Sequence, residues 1–204
     1  MRRDEKELYQ KLGALTKDKA QWEENIPFVA SLLKGQPVKI TGKSLWMLGE
    51  MGLLYPQDVR PFLDQIAAFL DAEAPFLRER SMNALGRIGR ADHTLVQPYQ
   101  EKMFAMAQDE SPNVRLSFIW ASENIAANAP DFYEDAVPLF EGLLDDENIR
   151  VRMEAPEMFR VLGKRKPEYV RHCIEKLRFL SEHDEDRVVR IHAGGAIRVI
   201  SANI

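Results

Sequence analysis

The sequence predicts an all-α fold, a right-handed α-α superhelix of about five stacked helical hairpins behind an N-terminal capping helix. Three observations lead there. A short motif recurs at near-constant spacing along the 204 residues. Apolar residues within each copy step by three and four, the helical period, with none of the alternation of a half-buried strand. Prolines fall at the same few offsets from the motif in successive copies.

The clearest copy runs from Leu77-Arg78 to Ala84-Leu85-Gly86-Arg87-Ile88-Gly89. Others begin at Val114-Arg115, Val151-Arg152 and Val189-Arg190, and a degenerate one at Ile40-Thr41. Thr41, Arg78, Arg115, Arg152 and Arg190 stand 37, 37, 37 and 38 residues apart. A register kept over five copies marks a tandem repeat. Each unit divides into two helices. In the second unit Val59, Phe62, Leu63, Ile66, Phe69 and Leu70 share one face of the first helix. Leu77, Ser81, Ala84, Leu85 and Ile88 share one face of the second.

Short polar turns near Asp71–Pro75, Asp109–Pro112, Asp145–Asn148 and Glu182–Glu185 separate the two helices. Gly52, Gly89 and Gly163 are expected to end second helices as C-terminal caps. Pro56, Pro130 and Pro167 suit the first turn of a helix, where the missing N–H costs nothing. Pro27, Pro61, Pro98 and Pro138 fall further along the first helices and are expected to bend them.

These marks divide a single 1–204 domain into a charged cap helix at 1–19 and repeats near 20–53, 54–90, 91–127, 128–164 and 165–204. One repeat cannot bury its apolar face alone, so stacking makes the core. Leu8, Leu12 and Leu15 give the cap its inward face. The last repeat ends in an apolar stretch from Ala196 to Ile204. Either it meets another subunit as a homodimer contact, or it tucks under its own repeat.

A unit of about 37 residues, with a proline-bearing first helix, an acidic turn and Val-Arg opening the second helix, resembles the HEAT repeat. The resemblance spans roughly residues 20–204. It implies a stack whose second helices line the concave side and, in function, a scaffold that binds another protein. The 34-residue tetratricopeptide unit fits less well, lacking its aromatic and proline pattern here.

Composition excludes several classes. Hydrophobic residues make up 45% and charged residues 29%, as in soluble globular chains, and the net charge is −4. That balance gives no bulk attraction to nucleic acid or anionic membrane. No apolar run approaches the roughly twenty residues of a membrane span. The charged N-terminus does not read as a secretory leader. The only cysteine, Cys173, precludes an intrachain disulfide and fits a cytoplasmic setting. No phosphate loop, zincin motif or nucleophile elbow occurs, so neither enzyme activity nor a cofactor is expected. His172 and Cys173, adjacent in sequence, are expected on different faces of one helix and not as a metal pair.

Counting from each anchor, offsets +2, +5 and +9 lie opposite the apolar face. They form a candidate binding ridge of Trp46, Arg80, Asn83, Arg87, Trp120, Asn124 and Glu157. Lys43, Glu50, Ser117, Glu154, Val161, His192, Gly195 and Val199 share the same offsets. Trp and Arg are common binding hot spots, whereas Trp also packs between elements. The Arg ladder of Arg78, Arg115, Arg152 and Arg190 is read as structural, each pairing with the acid of its own preceding turn: Asp71, Asp109, Asp146 or Asp184. The acidic run from Asp131 to Glu147 and the basic residues from Lys164 to Arg178 read mainly as solvated faces.

The leading functional expectation is a protein or peptide partner on this ridge. The first alternative is a DNA-binding protein. Lys43–Glu50, with Trp46 four residues before Glu50, is similar to a segment of the DNA-alkylation repair glycosylases, which also use HEAT-like solenoids. The acidic balance and lack of an evident catalytic Asp disfavour it. The second alternative is an assembly subunit.

Overall fold

The computed structural model describes residues 3–204, with side chains from Glu5 onward. Met1 and Arg2 of the expected cap lie outside the described residues. Among the described residues there are helices and turns and no strand.

The chain opens with helix α1 (Arg3–Lys17), followed by α2 (Trp22–Ser31) and α3 (Val38–Leu54). The second repeat holds α4 (Pro56–Val59), α5 (Leu63–Ala67) and α6 (Pro75–Ala91). The third holds α7 (Gln100–Ala105) and α8 (Pro112–Ala126), the fourth α9 (Val137–Leu143) and α10 (Ile149–Arg165). The fifth holds α11 (Pro167–Val170), α12 (Ile174–His183) and α13 (Arg187–Ser201). The chain gathers into two compact units, one ending at Gln100 and one beginning at Glu101.

In the first unit Leu12 and Leu15 of α1 are buried and Leu8 is half-buried. The indole N–H of Trp22 donates to the Leu15 carbonyl at 2.8 Å, fastening the cap to the first repeat. Gly35 turns the chain between α2 and α3 at φ +66°, a conformation that glycine adopts without penalty. In the second unit a cluster of rings fills the core. Phe118 stacks on Phe140 with centroids 5.0 Å apart, and Tyr133 is fully buried beside them. At the C-terminal end Ala196 and Ile200 are tucked inside, whereas Ile191 and Ile204 are exposed.

The second helices α3, α6, α8, α10 and α13 are continuous, and the first helices are not. The expected bends are breaks. Pro61 and Pro98 sit in 3₁₀ turns (Arg60–Phe62 and Gln97–Tyr99), and Pro138 sits at the start of α9. Proline removes the N–H that an α-helix needs, and a tighter 3₁₀ turn accommodates the loss. Only Pro27 lies within one of the first helices, in α2. Pro156, which the repeat pattern did not single out, is buried inside α10.

The glycines expected as caps lie inside their helices. Gly52, Gly89 and Gly163 are buried two residues before the ends of α3, α6 and α10. What stops α3 and α10 is the next proline. Tyr55 and Lys166 precede Pro56 and Pro167 and leave the α region, at φ −128° and −143°, as a residue before proline must. The glycines serve packing. A Cβ on Gly49 would lie 2.7 Å from the Cα of Ala84, and one on Gly163 2.5 Å from Ile200 Cγ1. A Cβ on Gly52 would collide with Ile88. Successive second helices, α3 with α6 and α10 with α13, therefore approach more closely than side chains would permit.

The Arg ladder is structural in geometry, and its partners correct the expected pairing. Each arginine donates from Nη1 to two backbone carbonyls of its own preceding turn: Arg78 to Ala72 and Glu73, Arg115 to Asp109 and Glu110, Arg152 to Asp146 and Glu147, Arg190 to Asp184 and Glu185. For Arg115 and Arg152 the carboxylate partner belongs to the following turn. Arg115 grips Asp146 with Nε and Nη2 at 2.7 and 2.8 Å, and Arg152 Nε lies 3.4 Å from Asp184. The acid in turn shapes its own loop: Asp109, Asp146 and Asp184 each accept the N–H two residues on at 2.8 Å.

Both the Arg115 and Asp146 side chains are nearly buried, at 10% and 7% exposure. Arg115→Ala is expected to cost about 3–5 kcal/mol, because it strands a buried carboxylate. Arg115→Lys is expected to cost less yet remain destabilising, since an ammonium cannot reproduce the two-pronged grip. Gly49→Ala is expected to lose about 1–3 kcal/mol through overpacking. Gly142→Ala, where nothing lies within 4 Å of the added carbon, is expected to be neutral or to gain up to about 1 kcal/mol. Urea unfolding of the four variants checks these values.

Candidate functional site

Each unit carries its own polar cleft on its second helices. In the first unit a cleft of about 340 Å³ is lined by Tyr9, Lys39, Gly42, Lys43, Trp46, Phe76 and Arg80. Its cations lie over its rings. Lys43 Nζ sits 4.3 Å from the Trp46 centroid, Lys39 Nζ 4.7 Å from Tyr9, and the Arg80 guanidinium 5.0 Å from Phe76. Such contacts attract a cation through the negative ring face. Burial, and secondly the charge of Arg80, push the Lys43 ammonium below its ordinary range.

In the second unit a cleft of about 490 Å³ is lined by Glu123, Glu154, Glu157, Arg160, Ile191, His192, Gly195 and Arg198. Glu157 pairs with Arg160 and lies 3.5 Å from His192 Nδ1. That nitrogen is also 2.7 Å from the Met153 carbonyl, which favours a proton on it. One Glu123 oxygen is buried without a hydrogen-bond partner. Its carboxyl is pushed up to about 8, first by burial and then by Glu154 and Glu157.

The ridge residues thus separate. Trp46 and Arg80 meet in the first cleft, and Glu157 stands in the second. Asn83 is half-buried on α6 and lines neither. Arg87 is engaged: its Nε and Nη2 hold both oxygens of Glu50 at 2.7 and 2.9 Å. Trp120 is 37% exposed on α8, and Asn124 donates to the Trp120 carbonyl at 2.9 Å. Ser117, at a ridge offset, is fully buried.

Sequence reasoning missed Tyr9, Lys39, Gly42, Phe76, Glu123, Arg160, Ile191 and Arg198. A signal existed for most of them. Lys39 and Phe76 stand at offset −2, Gly42 and Ile191 at +1, and Glu123, Arg160 and Arg198 at +8, all adjoining the offsets chosen. Gly194 and Gly195 on α13 are not tightly packed. A Cβ on either would meet only the far end of Arg198 or, at 4.0 Å, Ser181.

The charge runs pair with each other. Lys166 reaches Asp131 at 2.9 Å, and Lys176 reaches Asp145 at 2.6 Å. Tyr169 donates to the same Asp131 at 2.7 Å. These contacts join the fourth and fifth repeats at the surface, where Asp131 and Asp145 remain exposed. His172 and Cys173 do converge: Nε2 and Sγ lie 2.9 and 3.2 Å from one Glu141 oxygen. Residues 171–173 form a 3₁₀ turn, and Glu141 lies within reach of both side chains. These three are the group among the described residues that could hold a metal ion. Burial and then Glu141 push the Cys173 thiol far above its ordinary range, which opposes the thiolate that a metal requires.

No protein-family profile matches the chain, and no curated protein matches it. Solved structures do. A crystal structure of an engineered protein aligns over 94% of this chain and 83% of its own, with TM-score 0.70 and 14% identity. A designed armadillo repeat protein in complex with the peptide (KR)4 aligns over 94% and 86%, with TM-score 0.69 and 15% identity. The fold is an armadillo/HEAT-type helical repeat. Another armadillo structure, computationally designed for modular peptide recognition, aligns over 93% and 86%, with TM-score 0.66 and 16% identity.

Glu123 gives a pH test. Its folded-state carboxyl holds its proton to about 8, whereas an unfolded one releases it near 4.5. The folded state binds the extra proton across that window, so this group lowers stability as pH rises from 4.5 to 8. Glu123→Gln is expected to match wild type below pH 4.5 and to be progressively more stable than it up to pH 8. Urea midpoints measured across the range check the sign.

Proposed function

We propose that the protein is a non-catalytic scaffold that holds a peptide or helix of a partner protein against the second-helix face of its repeats. The carrying observation is Trp120. A large ring left 37% exposed on a second helix is the kind of anchor on which interfaces concentrate their energy.

Two further features support the reading. The clefts have opposite character: three cations in the first unit, and three glutamates with two arginines in the second. A protein surface can present either sign of charge, whichever cleft it meets. A nucleic-acid backbone carries one, and phosphates approaching Glu154 and Glu157 would be repelled. Glu50, the acid of the segment similar to the glycosylases, is held by Arg87. The armadillo neighbours designed for peptide recognition use the same fold for such a task. No helix among the described residues is long and apolar enough to cross a membrane. The buried Cys173 suits the cytoplasm as the proposed setting.

Quantitative affinity capture from the native cell tests the proposal, with wild type, Trp120→Ala and Phe179→Ala compared at matched folding by circular dichroism. Phe179 is a more exposed aromatic ring, but on α12. Partners retained by wild type and Phe179→Ala and depleted at least about tenfold by Trp120→Ala are expected, the loss of one hot spot. An identical partner set for all three proteins sinks the proposal.

A further inference from the structure

We infer that the cleft formed by Tyr9, Lys39, Lys43, Trp46, Phe76 and Arg80 binds a compact anion, a carboxylate or a phosphate, carried on the partner's peptide. This rests on the scaffold reading and names what one part of that surface takes.

The first argument is charge. Three cations line the cleft and none of its lining residues is acidic. Among the described residues no carboxylate forms an ion pair with Lys39, Lys43 or Arg80, although the chain as a whole is acidic. Gathering like charges is unfavourable, and Arg80 adds to the burial that holds the Lys43 ammonium below its ordinary range. An anion in the cleft relieves the repulsion.

The second argument is preorganisation. Each cation rests over a ring, which limits where its head can go. A ring face satisfies charge but not hydrogen bonding, so N–H donors remain for a ligand. Gly42 makes this arrangement possible, because a Cβ there would collide with the Phe76 ring on which Arg80 rests. A bare α3 backbone at that point lets the ring lie against the helix and holds Arg80 at the cleft. Ordered donors lose less entropy on binding than free surface lysines would.

The third argument is size. A cleft of about 340 Å³ suits one or two side chains, not a tract of phosphodiester backbone. A fork of guanidinium donors beside two ammonium groups matches a carboxylate or a phosphoryl group in particular. Phosphate, with more charge and more acceptor oxygens, is expected to bind more tightly than carboxylate.

The test uses the intact chain and fluorescent peptides about ten residues long, measured by polarisation. Three share one backbone and carry Glu, phosphoserine or Gln at the central positions. The Glu or phosphoserine peptide is expected to bind at least about tenfold more tightly than the Gln peptide, with the tighter of the two identifying the source of the anion. Lys43→Gln/Arg80→Gln is expected to abolish that preference. Lys39→Gln, at an exposed position safe for folding, is expected to weaken it, and Arg60→Gln, exposed in the 3₁₀ turn of the second repeat outside the cleft, to leave it unchanged. No preference for either anionic peptide at concentrations up to about 1 mM overturns the inference, as does a preference that survives the double variant. A short DNA duplex that binds more tightly than both anionic peptides, and is lost in the same variant, overturns the peptide as occupant. Capture that depends on Trp120 alongside absent anion binding rejects this inference alone. Capture that is the same for all proteins rejects the scaffold reading.

Discussion

An arginine that touches two turns at once holds successive repeats together. One end of its fork closes the acidic turn before its own helix by capping two backbone carbonyls. In Arg115 and Arg152 the other end reaches the acid of the next turn. That acid has already folded its own loop by accepting a backbone N–H. Neighbouring turns are therefore shaped and joined by the same atoms. A buried ion pair has to offset its desolvation with near-complete hydrogen bonding, and the geometry around Arg115 and Asp146 supplies it. With turns fixed in this way, equivalent positions on adjacent second helices fall side by side. The two polar clefts are assembled from such neighbours.

Much of this was legible because a tandem repeat states its own register. The spacing of Arg78, Arg115, Arg152 and Arg190 placed the turns and the second helices. The prolines marked where the chain departs from regular helix. What the spacing could not convey was distance across the stack. Gly52 and Gly163 looked like helix ends because glycine often stops a helix, and only the proximity of Ile88 and Ile200 reveals another use. The acids of the turns looked like partners for the nearest arginine in sequence. The fork geometry sends Asp146 and Asp184 to the arginine of the previous repeat instead. Two of the three tryptophans were read as one ridge, yet Trp46 lies beneath a lysine and Trp120 is open to solvent. Trp22, left out of that ridge, is the one that packs.

The clefts extend the same lesson to function. Their walls combine ridge positions with neighbouring offsets, because a helical face is wider than three positions. The chain's modest net charge conceals a division in which one unit gathers cations and the other carboxylates. A sum over the whole sequence cannot see this, and the pairing of Arg87 with Glu50 shows that a ridge position can be occupied from within.

The last repeat is one residue longer than the others. Arg78 to Asp109 and Arg115 to Asp146 each span 31 residues, whereas Arg152 to Asp184 spans 32. The step from acid to arginine is six in the last three repeats, from Asp109 to Arg115, Asp146 to Arg152 and Asp184 to Arg190. The surplus residue has been absorbed in the broken first helices, where short 3₁₀ pieces can lengthen without moving the turns. In an evolving lineage this makes the irregular half of each repeat an expansion joint. Insertions there leave the stitched half in step, whereas one between acid and arginine would unfasten two repeats together.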